Sequence, residues 1–354
     1  MAFGTLTLAD LQATALNATV ASVGLDTTFQ AVSNTLAAHN RIMDDLMADL
    51  VDKTTDRLRR YGGPDSMAME DGDEFTVPKA QKITAGSNVG FPLRMAIGGL
   101  QWTELFFKKK TIGEFAGQVD AMMDADHNRC IRDIKRAIFY ATNYTSNDFL
   151  IDKIDLDVKR LVNADSAPIP AGPNGETFTA SSHTHYLARA GGSLASTDLD
   201  GLIDTVREHY ASGEIRVYIN QAQESTVTGF TGFVKYVDAR IVANVNADHA
   251  RGGVLDPIQI YNRALGLYRG AEVWTKPWIP ANYLFCWNKS APKPLCYRYD
   301  PDIGDGLQLV YDNPSYPLMA RAYRRVFGVG VWNRINGAVL YGGNTSYADP
   351  TITS

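Results

Sequence analysis

The side chains of this 354-residue chain that could do chemistry are few and scattered. "SSHTHY" sets His183 and His185 two apart, so on a strand both rings would face one side and could share a metal ion. No third ligand at usable spacing follows, and the surrounding polar text reads as a loop with solvent-exposed histidines. Asp120, Asp124 and Asp126 fall in the acidic half of a charge-graded helical stretch, where a solvated face is the expectation. "DPDIGDG", from Asp300, fails as a calcium loop: Gly304 stands where a ligand belongs, Asp305 where the turn glycine belongs and Tyr311 where the bidentate acid belongs. "GVGVWNRING" fails the dinucleotide fingerprint because Asn333 replaces its third glycine. Cys286, between Phe285 and Trp287, sits in apolar text that disfavours a thiolate. There is no P-loop, no GxSxG elbow and no HExxH. No catalytic residue, cofactor or metal ligand is expected.

The remaining charged groups suit contacts better than catalysis. "FFKKK" ends in Lys108, Lys109 and Lys110, read either as a solvated strand end or as a clamp onto acidic "MEDGDE" (Glu70, Asp71, Asp73, Glu74) of another copy. Arg57, Arg59 and Arg60 could touch phosphates, although basic residues are common at helix ends. Arg321, Arg324 and Arg325, beside Tyr323, are expected to serve protein contacts.

The first 25 or so residues read as a loosely committed arm. A T-x-x-Q box at Thr27–Gln30 and apolar residues at helical spacing from Phe29 to Leu58 predict a helix over about 28–59, stopped by "RRYGGP". Residues 64–74 read as an acidic loop, and 75–110 as a long twisted hairpin whose apolar residues, Phe91 and Trp102 among them, require cover. Residues 112–144 give the clearest helix, with Ile112, Phe115, Val119, Met122, Met123, Cys130, Ile134 and Ile138 on one stripe. A polar segment covers 164–192. A second unit then opens with Thr197 as N-cap, a helix face of Leu199, Leu202, Ile203, Val206 and Tyr210, and an alternating strand "EIRVYIN". Strands follow near "GGVLDPIQIYN", "LGLYRGAEVWT" and "YLFCWN", and the text from Leu307 is mostly β with aromatic and arginine content.

Hydrophobic residues at 45% and charged residues at 21% fit a globular α+β protein. A net charge of -5 argues against a general nucleic-acid binder. Cys130, Cys286 and Cys296 form no CxxC pair and read as small buried hydrophobes. No secretory signal and no apolar run of membrane-spanning length is visible, so no membrane partner is expected. What concentrates aromatics is "TKPWIPANYLFCWNKSAPKPLCYRYD", from Thr275, with Trp278 at its start.

In layout the chain resembles the major capsid protein of tailed double-stranded DNA bacteriophages, the Hong Kong 97-like fold. In residues the resemblance is best over about 268–340, in "GAEVWTKPWIPANYLFCWN" and "DNPSYPLMARAYRRVFGVGVWNRINGAVLYGG". It implies an N-terminal arm (1–60), an extended loop (61–111), a peripheral domain with a spine helix and polar insertion (112–196), an axial domain (197–306) and a return to the peripheral domain (307–354). It implies a non-enzymatic shell subunit of hexamers and pentamers, located in the virion after assembly in the bacterial cytoplasm. Portal protein, scaffold or decoration proteins and non-specifically held packaged DNA are the implied partners. Phe91, Trp102, Lys108 to Lys110, the acidic loop, Trp278 and the three arginines would then meet neighbouring subunits, and Arg57, Arg59 and Arg60 would face the genome. An encapsulin-type nanocompartment shell shares the fold and is the nearest alternative, ahead of a cytosolic α+β enzyme.

Overall fold

A computed structural model describes residues 6–61, 71–77, 86–148, 153–236, 262–313 and 318–352. Its first helix, α1 (Leu8–Ala15), is opened by a capping box in which the Thr7 hydroxyl accepts from the Asp10 amide and the Asp10 carboxylate accepts from the Thr7 amide. Helix α2 (Val20–Val23) follows, and Gly24, at φ 98°, turns the chain into α3 (Leu25–Met47). Leu8, Leu11, Val20, Ala31 and Val32 are buried against Phe115 and Val119 of a later helix. The N-terminal segment is therefore packed from Leu8 onward, not loosely committed as its small polar residues suggest.

The helix expected over 28–59 stops at Met47. Its last third becomes β1 (Val51–Thr54) and β2 (Leu58–Tyr61). Val51, Thr54 and Thr55 are β-branched, and β1 finds a parallel partner in a strand at Leu295–Arg298. Leu58, counted in the helical stripe, is exposed. The hairpin expected over 75–110 is also divided. Strand β3 (Ser87–Gly90) pairs with β2, and β4 (Arg94–Thr103) pairs over ten residues with Leu318–Phe327. "FFKKK" is not a strand end but the close of helix α4 (Glu104–Lys109), whose N-cap is Thr103.

Helix α5 (Ile112–Phe139) matches its expectation closely. Thr111 and Glu114 form a capping box, and the predicted stripe is buried except for half-buried Met122. At 1.5 Å per residue it is roughly 42 Å long. Strands β5 (Tyr144–Asp148) and β6 (Ile154–Val158) form a separate antiparallel pair. Beyond them come β7 (Tyr186–Ala188), α6 (Ser196–Arg207), β8 (Ile215–Ile219), α7 (Glu224–Thr228), β9 (Val234–Lys235), β10 (Arg263–Tyr268), β11 (Ala271–Thr275), β12 (Tyr283–Asn288), β13 (Leu295–Arg298), β14 (Gln308–Asn313), β15 (Leu318–Val331) and β16 (Ala338–Tyr341). The strand expected at "GGVLDPIQIYN" lies outside the described residues, apart from Asn262.

Among the described residues two large sheets dominate. A seven-stranded sheet runs β7-β16-β12-β8-β11-β10-β9, and β1, β13, β15 and β14 form another in that order, with β4 also on β15. Helix α6 lays Leu199, Leu202, Ile203 and Val206 onto the first, as the sequence predicted. Strands β12 and β13, consecutive in the chain, belong to different sheets, and every residue of both is buried. This explains the aromatic stretch. Tyr283, Phe285, Trp287 and Tyr297 join Phe139, Tyr218 and Phe327 in one core, with Trp278 half-buried against it. Tyr297 stacks on Phe327 at 5.4 Å, and Phe139 meets Tyr283 edge-on at 5.7 Å. These rings join the two sheets of one chain.

"GVGVW" has a steric purpose. A Cβ on Gly328 would lie 2.5 Å from the Pro92 carbonyl oxygen, and one on Gly330 would lie 2.9 Å from Cδ1 of Phe91. The glycines let the 91–92 segment cross β15 at backbone contact.

Candidate contact surfaces and a buried histidine cluster

Buried arginines organise the interior. Arg325 makes a two-pronged contact with Asp126, Nε to Oδ1 at 2.7 Å and Nη2 to Oδ2 at 2.8 Å. His39 of α3 approaches Asp126 at 2.8 Å, and Arg325 also donates to Asn40 and to the Tyr297 hydroxyl. One guanidinium thus ties α3, α5, β13 and β15 together. Burial pushes the Asp126 carboxyl up, but the hydrogen bonds from His39 and Arg325 and the Arg325 charge outweigh it and hold it below its ordinary value. Asp126 is therefore not on a solvated face, whereas Asp120 and Asp124 are exposed as expected. Arg298 pairs with fully buried Asp148 at 2.7 Å, and Arg334 with Asp165 at 3.0 Å.

Several residues expected to meet neighbouring subunits are used inside the chain. Phe91 and Trp102 are fully or almost fully buried; Trp102 packs with Phe29, Phe107 and Phe115 and donates to Gln118 at 2.7 Å. Arg325 is in the interior, and Arg321 pairs with Asp312 at 2.6 Å while lying over the Phe29 ring. Those contacts are corrections: an arginine- and aromatic-rich text satisfies a core as well as a surface. Arg324 and Trp278 are half-buried. Arg59 pairs with Asp56 at 2.9 Å and lies over Trp332, Arg57 approaches Asp148, and Arg60 is exposed on β2, so these three mark a strand region and not a helix end.

Other predicted groups do sit on the surface. Lys108, Lys109 and Lys110 are exposed; Lys108 pairs with Glu104, and Lys110 with Glu114 at 2.6 Å. Asp71, Asp73 and Glu74 are exposed, and Glu70 lies outside the described residues. Beside them Phe75 and Val77 are more than four-fifths exposed. Strand β14 shows Leu309, Val310 and Tyr311 to solvent in succession, and β4 adds Met95 and Ile97. Val310 falls where the register of β14 on β15 shifts, so the simple two-face alternation is interrupted at these three residues.

The cysteines are free and buried, as expected. Burial pushes the Cys296 thiol up to about 11 and the Cys130 thiol up to about 12, and pushes Cys286 up as well.

His183 and His185 depart from expectation. His185 is fully buried, His183 half-buried, and both converge on buried His209 just past the end of α6. Burial lowers the pKa of all three rings, that of His209 to about 3, which favours their uncharged forms. The further ligands come from "REHY": Glu208 and His209 lie inside the stretch whose spacing predicts a helix through Tyr210, far in sequence from the histidine pair.

No family model matches the chain, and no curated protein does. Among solved structures, a chain from Mycobacterium phage Patience aligns at a TM-score of 0.68 with 22% identity, covering 99% of this chain and 96% of its own. The two chains share one fold. The capsid of the native GTA particle aligns at 0.49 with 11% identity, covering 85% of this chain and 90% of its own. The holo-SrpI encapsulin complex of Synechococcus elongatus aligns at 0.45 with 11% identity, covering 86% and 89%. The phage Patience correspondence runs essentially from end to end, so it extends to the N-terminal helices, the spine-like α5 and both large sheets. The α+β class is as expected. Among the described residues, no helix is long and apolar enough to cross a membrane.

Proposed function

We propose that this chain is a structural protein, the major capsid protein of a tailed double-stranded DNA phage, and that it assembles with copies of itself into the icosahedral head shell. The carrying observation is the full-length correspondence with a chain of Mycobacterium phage Patience, together with the residue-level resemblance over 268–340. The surface supports it. Phe75, Val77, Ile97, Leu105, Val310 and Tyr311 are large, apolar and exposed, and in a repeating shell neighbouring copies would cover them. The buried, raised thiols and the absence of a nucleophile motif support a non-enzymatic role.

In this reading the domain division drawn from the sequence is kept as a proposal: arm 1–60, extended loop 61–111, peripheral domain 112–196, axial domain 197–306 and return 307–354. Its strands cross these limits repeatedly: β1 of the arm and β15 of the return both pair with β13, β4 of the loop pairs with β15, and β7 and β16 join the seven-stranded sheet. The shell would hold hexamers and pentamers, be part of the virion and form in the bacterial cytoplasm, with portal and any scaffold or decoration protein as partners. Lys108 to Lys110 and the acidic loop 70–74 are proposed to meet between copies, while Arg60 is the best exposed of the three genome-facing candidates. A subunit of net charge -5 would hold packaged DNA weakly, which suits its release.

The test is size. The chain expressed in bacteria, alone and with the neighbouring genes of its source genome, should give megadalton particles by size-exclusion chromatography and closed shells by negative-stain microscopy. A stable small oligomer in every combination, turning over a metabolite, would overturn the reading.

A further inference from the structure

The histidine cluster carries an inference independent of the shell reading. Nε2 of His183 lies 3.2 Å from Nε2 of His185 and 3.2 Å from Nε2 of His209, and the last two are 3.0 Å apart. Three imidazole nitrogens therefore form a nearly equilateral triangle. Oε1 of Glu208 lies 3.4 Å from the first of them and 3.8 Å from Nε2 of His209. For a tetrahedral ion bound at about 2.0–2.1 Å, adjacent ligand atoms stand roughly 3.3 Å apart. The triangle needs to open by only a few tenths of an ångström to meet that spacing, and with all four ligand atoms within 4.8 Å of one another the partly exposed Glu208 carboxylate needs a modest turn to take the fourth corner.

Hydrogen bonding alone does not account for the arrangement. Nδ1 of His185 is 2.6 Å from the Gly337 carbonyl oxygen, which can only accept, so Nδ1 carries the proton and a neutral ring has a bare lone pair at Nε2. That lone pair is buried and aimed at two further ring nitrogens. Each of those can supply at most one proton along one line, so a three-way convergence leaves nitrogen lone pairs facing each other. Nδ1 of His209 is buried without a protein partner. The Gly337 contact is the kind of outer hydrogen bond that fixes the tautomer and orientation of a metal-bound imidazole. The Phe178 ring closes one side, 4.8 Å from the His183 ring and 4.3 Å from the His209 ring.

We propose that His183, His185, His209 and Glu208 form a closed, four-coordinate zinc site of structural type. Three nitrogen donors and one carboxylate in tetrahedral arrangement suit Zn²⁺, and with all four positions filled by protein no place is left for a substrate water. The ion fastens the irregular 164–185 stretch onto the C-terminal end of α6. That stretch's own backbone bonds close it on itself, His185 N to the Val162 carbonyl at 2.8 Å and Ala164 N to the His183 carbonyl at 3.0 Å among them, and do not reach α6. The metal would do for this loop what buried apolar area does for a helix.

The experiment uses the untagged full chain, purified without metal-affinity resin and analysed by elemental mass spectrometry. About one zinc per chain is expected, as purified or after addition of one equivalent of Zn²⁺ to chelator-treated protein. Replacing zinc by Co²⁺ should give the strong visible bands of a tetrahedral cobalt centre, a readout that needs no variant. His183→Ala, at the most exposed ring, should lower bound zinc at least tenfold while the circular dichroism spectrum stays that of the parent. Added zinc should raise the melting temperature of the parent and not of this variant. Failure of the parent chain to take up zinc or cobalt at equimolar concentration would overturn the proposal. So would undiminished zinc in the His183→Ala/His209→Ala double variant, or a weak octahedral cobalt spectrum. Particle size has no bearing on these outcomes, so the site and the shell reading stand or fall separately.

Discussion

At the scale of single residues, the molecule invests charge where a sequence reading expects none. Asp126 looked like one more acid on a graded helix surface, yet it is gripped by Arg325 and His39 in the interior. Asp126→Ala leaves a buried guanidinium without its counter-charge, and a loss of about 3–5 kcal/mol is expected in urea unfolding of the unassembled subunit. The joint replacement Asp126→Leu with Arg325→Met should recover most of it, because an apolar pair of similar volume needs no desolvation of charge. A pH dependence follows with a definite sign. The folded-state value of Asp126 is lowered from its ordinary 3.8, so its contribution is complete above that value and is lost as pH falls from there through the lower folded value. Acid unfolding of the Asp126→Leu/Arg325→Met variant should be correspondingly less steep below pH 4. If parent and variant show the same acid limb, the pair does not govern it. Why the sequence hid this pair is physical. Arg325 and Asp126 are 199 residues apart, and a charge on a helix reads as solvated until a distant strand is known to cover that turn. His209 was hidden in the same way, by a separation of 24 residues from His185.

At the scale of elements, local signals succeeded where an element is decided by its own periodicity. Helix α5, with its capping box and long stripe, and α6, with four buried residues at helical spacing, were legible because neither depends on a particular distant partner. Thr111→Ala should cost about 1 kcal/mol by removing the acceptor for the Glu114 amide, seen as a lower unfolding midpoint. Strands were less legible, since a ladder is completed elsewhere in the chain. Val51–Thr54 falls inside the predicted helix because Leu50 and Leu58 flank it at helical spacing; only the edge of β13, more than 240 positions on, makes it a strand. β4 was assigned to a local hairpin because its pairing with β15 is invisible at short range. The same crossing supplies a sharper test. Gly328→Ala drives a Cβ to 2.5 Å from a backbone oxygen that cannot swing aside, and a cost of about 1–3 kcal/mol is expected as β15 and the 91–92 segment separate. An unchanged unfolding midpoint for this variant would mean that the two segments do not cross at contact distance.

At the scale of the whole molecule, the distribution of apolar surface argues for assembly. Two extensive cores are closed within the chain, and the aromatic stretch from Thr275 fills the larger of them. Among the described residues, large apolar side chains stay exposed at Phe75 and Val77, at Ile97 of β4 and Leu105 of α4, and in an unbroken row on β14. Leu309, Val310 and Tyr311 are consecutive, span a register shift of the strand and are all exposed. A strand in that condition is a liability for a solitary protein and a ready contact for a repeating one. The pair Val310→Lys and Tyr311→Lys separates these cases. Both side chains stand in solvent in the isolated subunit, so their replacement should shift its unfolding free energy by no more than about 0.5 kcal/mol. In a shell each copy would carry two added charges into contacts made many times over, and repetition would multiply a modest loss per contact. Shell yield by sedimentation should therefore fall at least tenfold while the subunit remains folded. Undiminished shells from the double variant would mean that β14 faces solvent in the particle too, and the contact would have to be sought on Phe75, Val77 and the Lys108–Lys110 turn.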